Sequence, residues 1–183
     1  MKSKPADKPP ASDAGPGGDD SLSTAVRECL RRPAFLAELR DVLHRADADA
    51  DAQGAQCLGG GACCRFDMAS HRLYVSTGEL ALLLAAPPAD LSRAQRRRCP
   101  WQQGPRCVAR DFRPLGCRIF FCRQRVTDAA SDSYEKLHAL VRQLHQTHCL
   151  PYAYAELTTA ITQLSDLPQV MAESRAVFAR EFS

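Results

Sequence analysis

Cysteine is the residue type that most constrains this chain. Its 183 residues include nine cysteines, and an odd number cannot be fully paired in intramolecular disulfides. No apolar run of signal-peptide length follows the first lysines, so we expect a cytoplasmic protein, and in a reducing compartment this cysteine usage favours metal or redox chemistry over disulfides. Seven of the nine lie in one stretch: Cys57, Cys63, Cys64, Cys99, Cys107, Cys117 and Cys122. The sequence therefore predicts a metal site there.

Charge and hydropathy argue against two kinds of partner. The formal net charge of +3 is too small for a general argument about nucleic acid. No window approaches the roughly 18 uninterrupted apolar residues that a membrane-spanning helix requires. We therefore expect a soluble protein with no membrane partner.

The chain divides into four segments by composition. Residues 1–20 are rich in Pro, Gly, Asp and Lys, which predicts a disordered tail. Residues 21–53 carry apolar side chains at helical spacing, with Pro33 suited to the first turn of a second helix. Residues 54–126 form an irregular cysteine-rich region, and residues 127–183 are helical and expected to pack on the same domain. The predicted fold class is α+β, mostly α, with helices bracketing a metal-binding centre that contains a few short strands.

Local signals predict several elements in detail. The run from Leu73 to Val75 has strand composition, and Ser76 with Glu79 fits the capping box of a short helix that ends before Pro87. Three C-terminal helices are expected, one from about Asp132 to before Pro151, then 152–166 and 169–182.

The cysteines fall into three groups. Cys57 accompanies the Cys63–Cys64 pair. Cys99 and Cys107 flank a Gly-Pro break that suits a hairpin, and Cys117 and Cys122 flank a predicted short buried strand. Zinc and iron-sulfur clusters both favour thiolate ligands, and tetrahedral sites take about four of them. We expect the three groups to converge, although adjacent side chains such as Cys63 and Cys64 tend to project apart and need not bind one ion equally.

Three motifs in this order resemble a known family. The first is Cys57, Cys63, Cys64 and Arg65, the second is Cys99-Pro100-Trp101 with Cys107, and the third is Arg113-Pro114-Leu115-Gly116-Cys117-Arg118. Over roughly residues 55–125 the chain is similar to the zinc- or iron-chelating cysteine-cluster domains, the YkgJ-like family.

The resemblance implies metal binding, with zinc or iron as the cofactor and no firmly assigned reaction. The chain departs from the family's front motif because Gly60 occupies the place of its second cysteine. We infer that Cys122 restores the number of ligands.

Several arginines near these cysteines would offset the negative charge of thiolates around a metal. They are Arg65, Arg106, Arg113, Arg118 and Arg123. Each taken alone is equally compatible with ordinary solvated surface.

Two other functions stay open from the sequence. One is an iron-sulfur redox protein or oxidoreductase subunit. The other is a nucleic-acid-binding adaptor, because Arg93, Arg96, Arg97 and Arg98 form a basic run beside Trp101. Such a run is more often a solvated helix end.

No catalytic motif is present from which a reaction or a catalytic residue is assigned. His145 and His148 are spaced to share an ion, yet their position beside an apolar stripe favours packing.

Overall fold

A computed structural model describes residues 19–55, 60–68, 71–120 and 127–182. Helices dominate these ranges, and the α+β, mostly helical class is confirmed. The helices are α1 (Asp19–Leu30), α2 (Pro33–Ala52), α3 (Thr77–Leu83), α4 (Leu115–Ile119), α5 (Asp128–Thr147), α6 (Leu157–Gln163) and α7 (Leu167–Glu181).

In the described ranges, four short strands form two separate antiparallel pairs. The first pair joins β1 (Tyr74–Ser76) to β4 (Tyr154–Glu156), with Val75 opposite Ala155. The second is the predicted hairpin of β2 (Gln102–Gln103) and β3 (Arg106–Cys107). Gly104 in its turn has φ +55°, a left-handed conformation that glycine adopts without a steric cost.

The helix α2 forms the centre of the core. Pro33 begins it, and Phe35, Leu36, Leu39 and Leu43 follow at helical spacing with side chains at most 1% exposed. This stripe packs against α5 and α4, while α1 packs against α3 and α7. The C-terminal helices therefore belong to the same core as the N-terminal ones.

The predicted capping box at the start of α3 is confirmed, and its glutamate also reaches a distant helix. Ser76 Oγ accepts a hydrogen bond from the Glu79 amide at 3.3 Å, and the Glu79 carboxylate accepts one from the Ser76 amide at 2.8 Å. The other carboxylate oxygen accepts the Leu115 amide, also at 2.8 Å. Glu79 is 3% exposed, so this one buried group fixes the start of α4 relative to α3.

The helix α4 corrects one prediction. A strand was expected between Cys117 and Cys122, but Leu115–Ile119 is helical. Pro114 precedes the helix with an extended backbone, and Glu79 satisfies an amide of its first turn, so a contact distant in sequence overrides the strand-like composition.

Three boundaries also differ from the prediction. The helix α1 begins at Asp19, inside the segment expected to be a disordered tail, and residues 1–18 lie outside the described ranges. The helix α5 begins at Asp128 because Thr127 caps it by accepting the Ala130 amide at 3.1 Å. Instead of one helix over 152–166, β4 comes first and α6 follows.

Replacing Glu79 tests the buried carboxylate. Glu79→Ala leaves the Ser76 and Leu115 amides without their acceptor, and we expect the free energy of unfolding to fall by about 2–4 kcal/mol in urea denaturation. Asp41→Ala, an exposed substitution on α2, is the control and is expected to change stability by less than about 0.5 kcal/mol. Equal stability of the two variants would contradict the role given to Glu79.

A fully buried histidine lies against the α2 core. His145 is 0% exposed, and its ring meets Phe35 and Tyr152 edge-on with centroid distances of 4.8 and 5.2 Å. Burial lowers the pKa of His145 to about 4. The same ring titrates near 6.5 in an unfolded chain, so protonation favours the unfolded state between these values.

The fold should therefore lose stability as the pH falls from about 6.5 to about 4, by up to about 3 kcal/mol from His145 alone. His145→Phe keeps a ring in the core and removes this titration. We expect its urea midpoint to fall less over that pH interval than the wild-type midpoint, with His148 still present in both proteins. Parallel pH profiles for the two proteins would refute the assignment.

Candidate metal centre

The described residues include five of the seven predicted ligands, carried by different elements. Cys63 and Cys64 lie in a 3₁₀ turn, Cys99 just precedes β2, Cys107 ends β3, and Cys117 lies in α4. The other two predicted ligands, Cys57 and Cys122, lie outside the described residues.

Backbone contacts place the front cysteine loop on the hairpin. The Cys99 amide donates a hydrogen bond to the Cys64 carbonyl at 2.9 Å. The buried Gln102 side chain donates to the Gly61 carbonyl at 3.0 Å. These two bonds join residues that lie 35 and 41 positions apart in the sequence.

The close approach of these segments requires glycine at position 61. Gly61 has φ +67°, and a Cβ there would lie 2.6 Å from Gln102 Nε2 and 3.0 Å from the Pro105 carbonyl oxygen. A side chain would thus be strained by the backbone and would also collide with the hairpin. The sequence places this glycine inside the cysteine motif, but no pattern in the nearby residues predicts that it contacts Gln102.

The vicinal cysteines lie closer together than expected. Their two Sγ atoms are 4.0 Å apart. Four thiolates around a zinc ion, each about 2.3 Å from the metal, would have sulfur atoms about 3.8 Å apart. The separation of Cys63 and Cys64 therefore fits two ligands of one ion.

The thiols influence one another's protonation. Burial raises the pKa of Cys117 well above its ordinary value, and the neighbouring Cys64, Cys63 and Cys107 raise it further, while Arg113 opposes them. For Cys64, a hydrogen bond with Cys63 lowers the pKa but is outweighed by the hydrogen bond with Cys99, burial and the charges of nearby thiols. Groups interact in this way only when they share one region. The three cysteine-bearing segments therefore lie close enough for their thiols to affect one another.

The thiols are neighbours rather than a formed coordination shell. Across the four described ranges, no three His, Cys, Asp or Glu side chains are arranged as a group that could hold a metal ion. The donor type nevertheless fits zinc or an iron-sulfur cluster, because thiolate is the ligand that both accept.

Two of the predicted arginines hold the Cys117 segment in place. Arg118 is 2% exposed, and its guanidinium donates to the carbonyls of Arg113 and Asp111, both at 2.7 Å, and pairs with Asp47 of α2. Arg113 donates to the Cys117 carbonyl at 3.2 Å and also pairs with Asp47, at 3.3 Å.

The other predicted arginines differ from these two. Arg106 is exposed, and the half-buried Arg65 contacts Met68 within its own turn. Arg123 lies outside the described residues.

The basic run before Cys99 is largely paired with acidic groups. Arg93 and Arg96 lie 3.5 and 3.9 Å from the Asp90 carboxylate, and Arg98 lies 2.9 Å from Asp67. Arg93 also donates to the Gln102 carbonyl. These contacts give the run a structural role beside the hairpin and reduce the positive charge it offers to phosphates.

Three of the five histidines fall into two groups by what they contact. His145 and His148 pack edge-on against Phe35, and His148 also pairs with Glu38 at 3.1 Å. His71, which sequence reasoning did not single out, places its Nε2 atom 3.2 Å from the Cys63 carbonyl oxygen. Its spacing from the cysteines matches no metal motif, so no sequence signal pointed to this contact.

Comparison of the chain with family models, curated proteins and solved structures gives no match. The resemblance to the zinc- or iron-chelating domains therefore stays a prediction that depends on the three motifs. Within the described part of the chain, no helix combines the length and the apolar character needed to cross a membrane.

The contact at Gly61 can be separated from its backbone strain. Gly61→Ala adds a Cβ that meets Gln102 and Pro105, whereas Gly54→Ala adds one at a similar φ of +68° with nothing within 4 Å. Both should cost about 1 kcal/mol of strain, and the clash should bring the total for Gly61→Ala to about 2–4 kcal/mol. Urea denaturation measures both, and equal losses would show that the two loops are not tightly apposed.

Proposed function

We propose that this chain is a cytoplasmic metal-binding protein in which the clustered cysteines bind zinc or iron. The observation that supports the proposal most directly is the meeting of three sequence-distant segments that carry Cys63–Cys64, Cys99 with Cys107, and Cys117. Cys57 and Cys122 are proposed as further ligands on the sequence pattern alone. No reaction is assigned to the site.

Electrostatics favours a cation at this place. Burial raises the pKa values of Cys107 and Cys117, and repulsion from neighbouring thiolates raises them further. For Cys64, the hydrogen bond with Cys63 lowers the pKa, but the hydrogen bond with Cys99, burial and the charges of Cys99 and Cys107 outweigh it. A bound metal ion would replace the protons and convert this repulsion into attraction. Arg110 and Arg113, which both oppose the rise at Cys107, would then stabilise the negative charge left on the site.

Zinc and iron would use the same thiols for different purposes. Zinc bound by four thiolates would join the front loop, the hairpin and α4 and would stabilise the fold. An iron-sulfur cluster would add electron transfer, with a potential set partly by nearby positive charge and by solvent exposure. The number of clustered cysteines does not choose between the metals, because a tetrahedral zinc ion and the common iron-sulfur clusters each take four thiolates.

Metal analysis of anaerobically purified protein tests the proposal. We expect about one zinc per chain without colour, or iron with acid-labile sulfide and broad visible absorption. Cys99→Ser and Cys117→Ser should each lose most of the metal. Cys149→Ser, at an exposed cysteine outside the cluster, should retain it.

The measured metal content distinguishes zinc from an iron-sulfur cluster and can also refute the proposal that the cluster binds metal. Colourless protein with stoichiometric zinc would exclude the iron-sulfur alternative, and coloured protein with iron and sulfide would exclude structural zinc. Wild-type protein without either metal, or equal metal content in all three variants, would show that the cluster does not bind metal.

A further inference from the structure

A second site lies beside the cysteine-bearing segment but contains no cysteine. It is an open cavity of about 440 Å³ between α2, the segment around residues 110–118, and α7. Its lining includes Arg40, Asp47, Arg110, Asp111, Arg113 and Phe178. A volume of this size falls in the range of small-molecule sites.

The cavity carries an excess of positive charge. Four arginines and two aspartates line it, which leaves a net formal charge of +2 when its one histidine, His44, is neutral. Arg113 and Arg118 are already occupied, because both pair with Asp47 and donate to backbone carbonyls. Since these two share a single carboxylate, one positive charge of the excess stays with them, and the other comes from Arg40 and Arg110 less the charge of Asp111. The two guanidinium groups left for a ligand are those of Arg40 and Arg110.

These two guanidinium groups lack acidic partners among the described residues. Arg110 is exposed at the cavity rim, in the 3₁₀ turn Arg110–Phe112. Arg40 lies over the rings of Phe178 and Phe182, at 5.0 and 4.4 Å from their centroids. Cation–π contacts hold the Arg40 guanidinium in place without neutralising it.

The cavity also has an aromatic wall. Phe112 and Phe178 line it, and their ring centroids lie 4.6 Å apart. Half-buried aromatic rings at the edge of a positively charged cavity suit a ligand with an anionic group and an apolar body.

We propose that this cavity binds a small organic phosphate monoester. A phosphate monoester carries a charge of about −1.5 to −2 at pH 7, which complements the net charge of the lining. Planar guanidinium groups recognise phosphate oxygens through paired hydrogen bonds. The phosphate lies between Arg40 and Arg110, and the organic part packs against Phe112 and Phe178. This cavity contains no cysteine but adjoins the proposed metal centre, since Arg110 and Arg113 line it and also act on the charge of Cys107.

Calorimetric titration with phenyl phosphate, in a phosphate-free buffer of low salt at about pH 7.4, tests the proposal on the full chain. Saturable binding is expected, and Arg110→Gln should weaken it by about tenfold or more, since a charge-assisted hydrogen bond contributes about 1.5–3 kcal/mol. Arg110 is exposed, so its replacement leaves the core intact. Asp111→Asn removes a negative charge from the lining and should tighten binding.

Arg142→Gln is the matched control, because it removes an exposed arginine of α5 that does not line the cavity. It should leave the Kd unchanged. No saturable heat up to about 10 mM phenyl phosphate, or the same loss in Arg142→Gln as in Arg110→Gln, would overturn the proposal. Benzoate binding as tightly as phenyl phosphate would overturn the assignment to a dianionic phosphate. Metal content measured on the same samples keeps this result separate from that of the metal centre.

Discussion

The buried Arg118 guanidinium is the group on which the arrangement of both sites depends. A charge removed from water is tolerated only when its hydrogen bonds are satisfied. Arg118 meets this requirement with Asp47 of α2 and with the carbonyls of Asp111 and Arg113. It thereby fixes the segment from Asp111 to Arg118 against the central helix. This segment carries Cys117 and contributes Asp111, Arg113 and Arg118 to the lining of the basic cavity, so both take their positions from that attachment.

Glu79 performs the corresponding task at the start of α4, the helix that carries Cys117 and Arg118. Its carboxylate accepts amides from Ser76 and Leu115, so the cap of α3 and the start of α4 share one acceptor. A five-residue helix has little stability of its own, because forming its first turn is costly and few bonds follow. The helix α4 therefore exists because Glu79 and Arg118 hold its two ends, and the position of Cys117 is a product of tertiary structure.

Elements with local signals could be predicted from the sequence. The capping box of Ser76 and Glu79, the Gly-Pro hairpin turn and the amphipathic α5 all depend on residues within a few positions of one another. The helix α4 could not be predicted in this way, because the acceptor for its Leu115 amide is Glu79, which lies 36 residues away. The same reasoning applies to the sites. The grouping of the cysteines predicted that they would meet, whereas the basic cavity combines Arg40, Arg110 and Phe178 from three distant segments, which no local pattern connects.

The unequal burial of the cysteines gives the cluster an inside and an outside. Cys64 and Cys99 are 8% and 7% exposed, whereas Cys63 and Cys107 are partly open to solvent. An alkylating reagent should therefore modify Cys63 and Cys107 before Cys64 and Cys99. In the proposed metal-bound form, a chelator would likewise meet the outer thiols first, so the outer thiols would govern the rate of capture and the inner thiols the residence time of the ion.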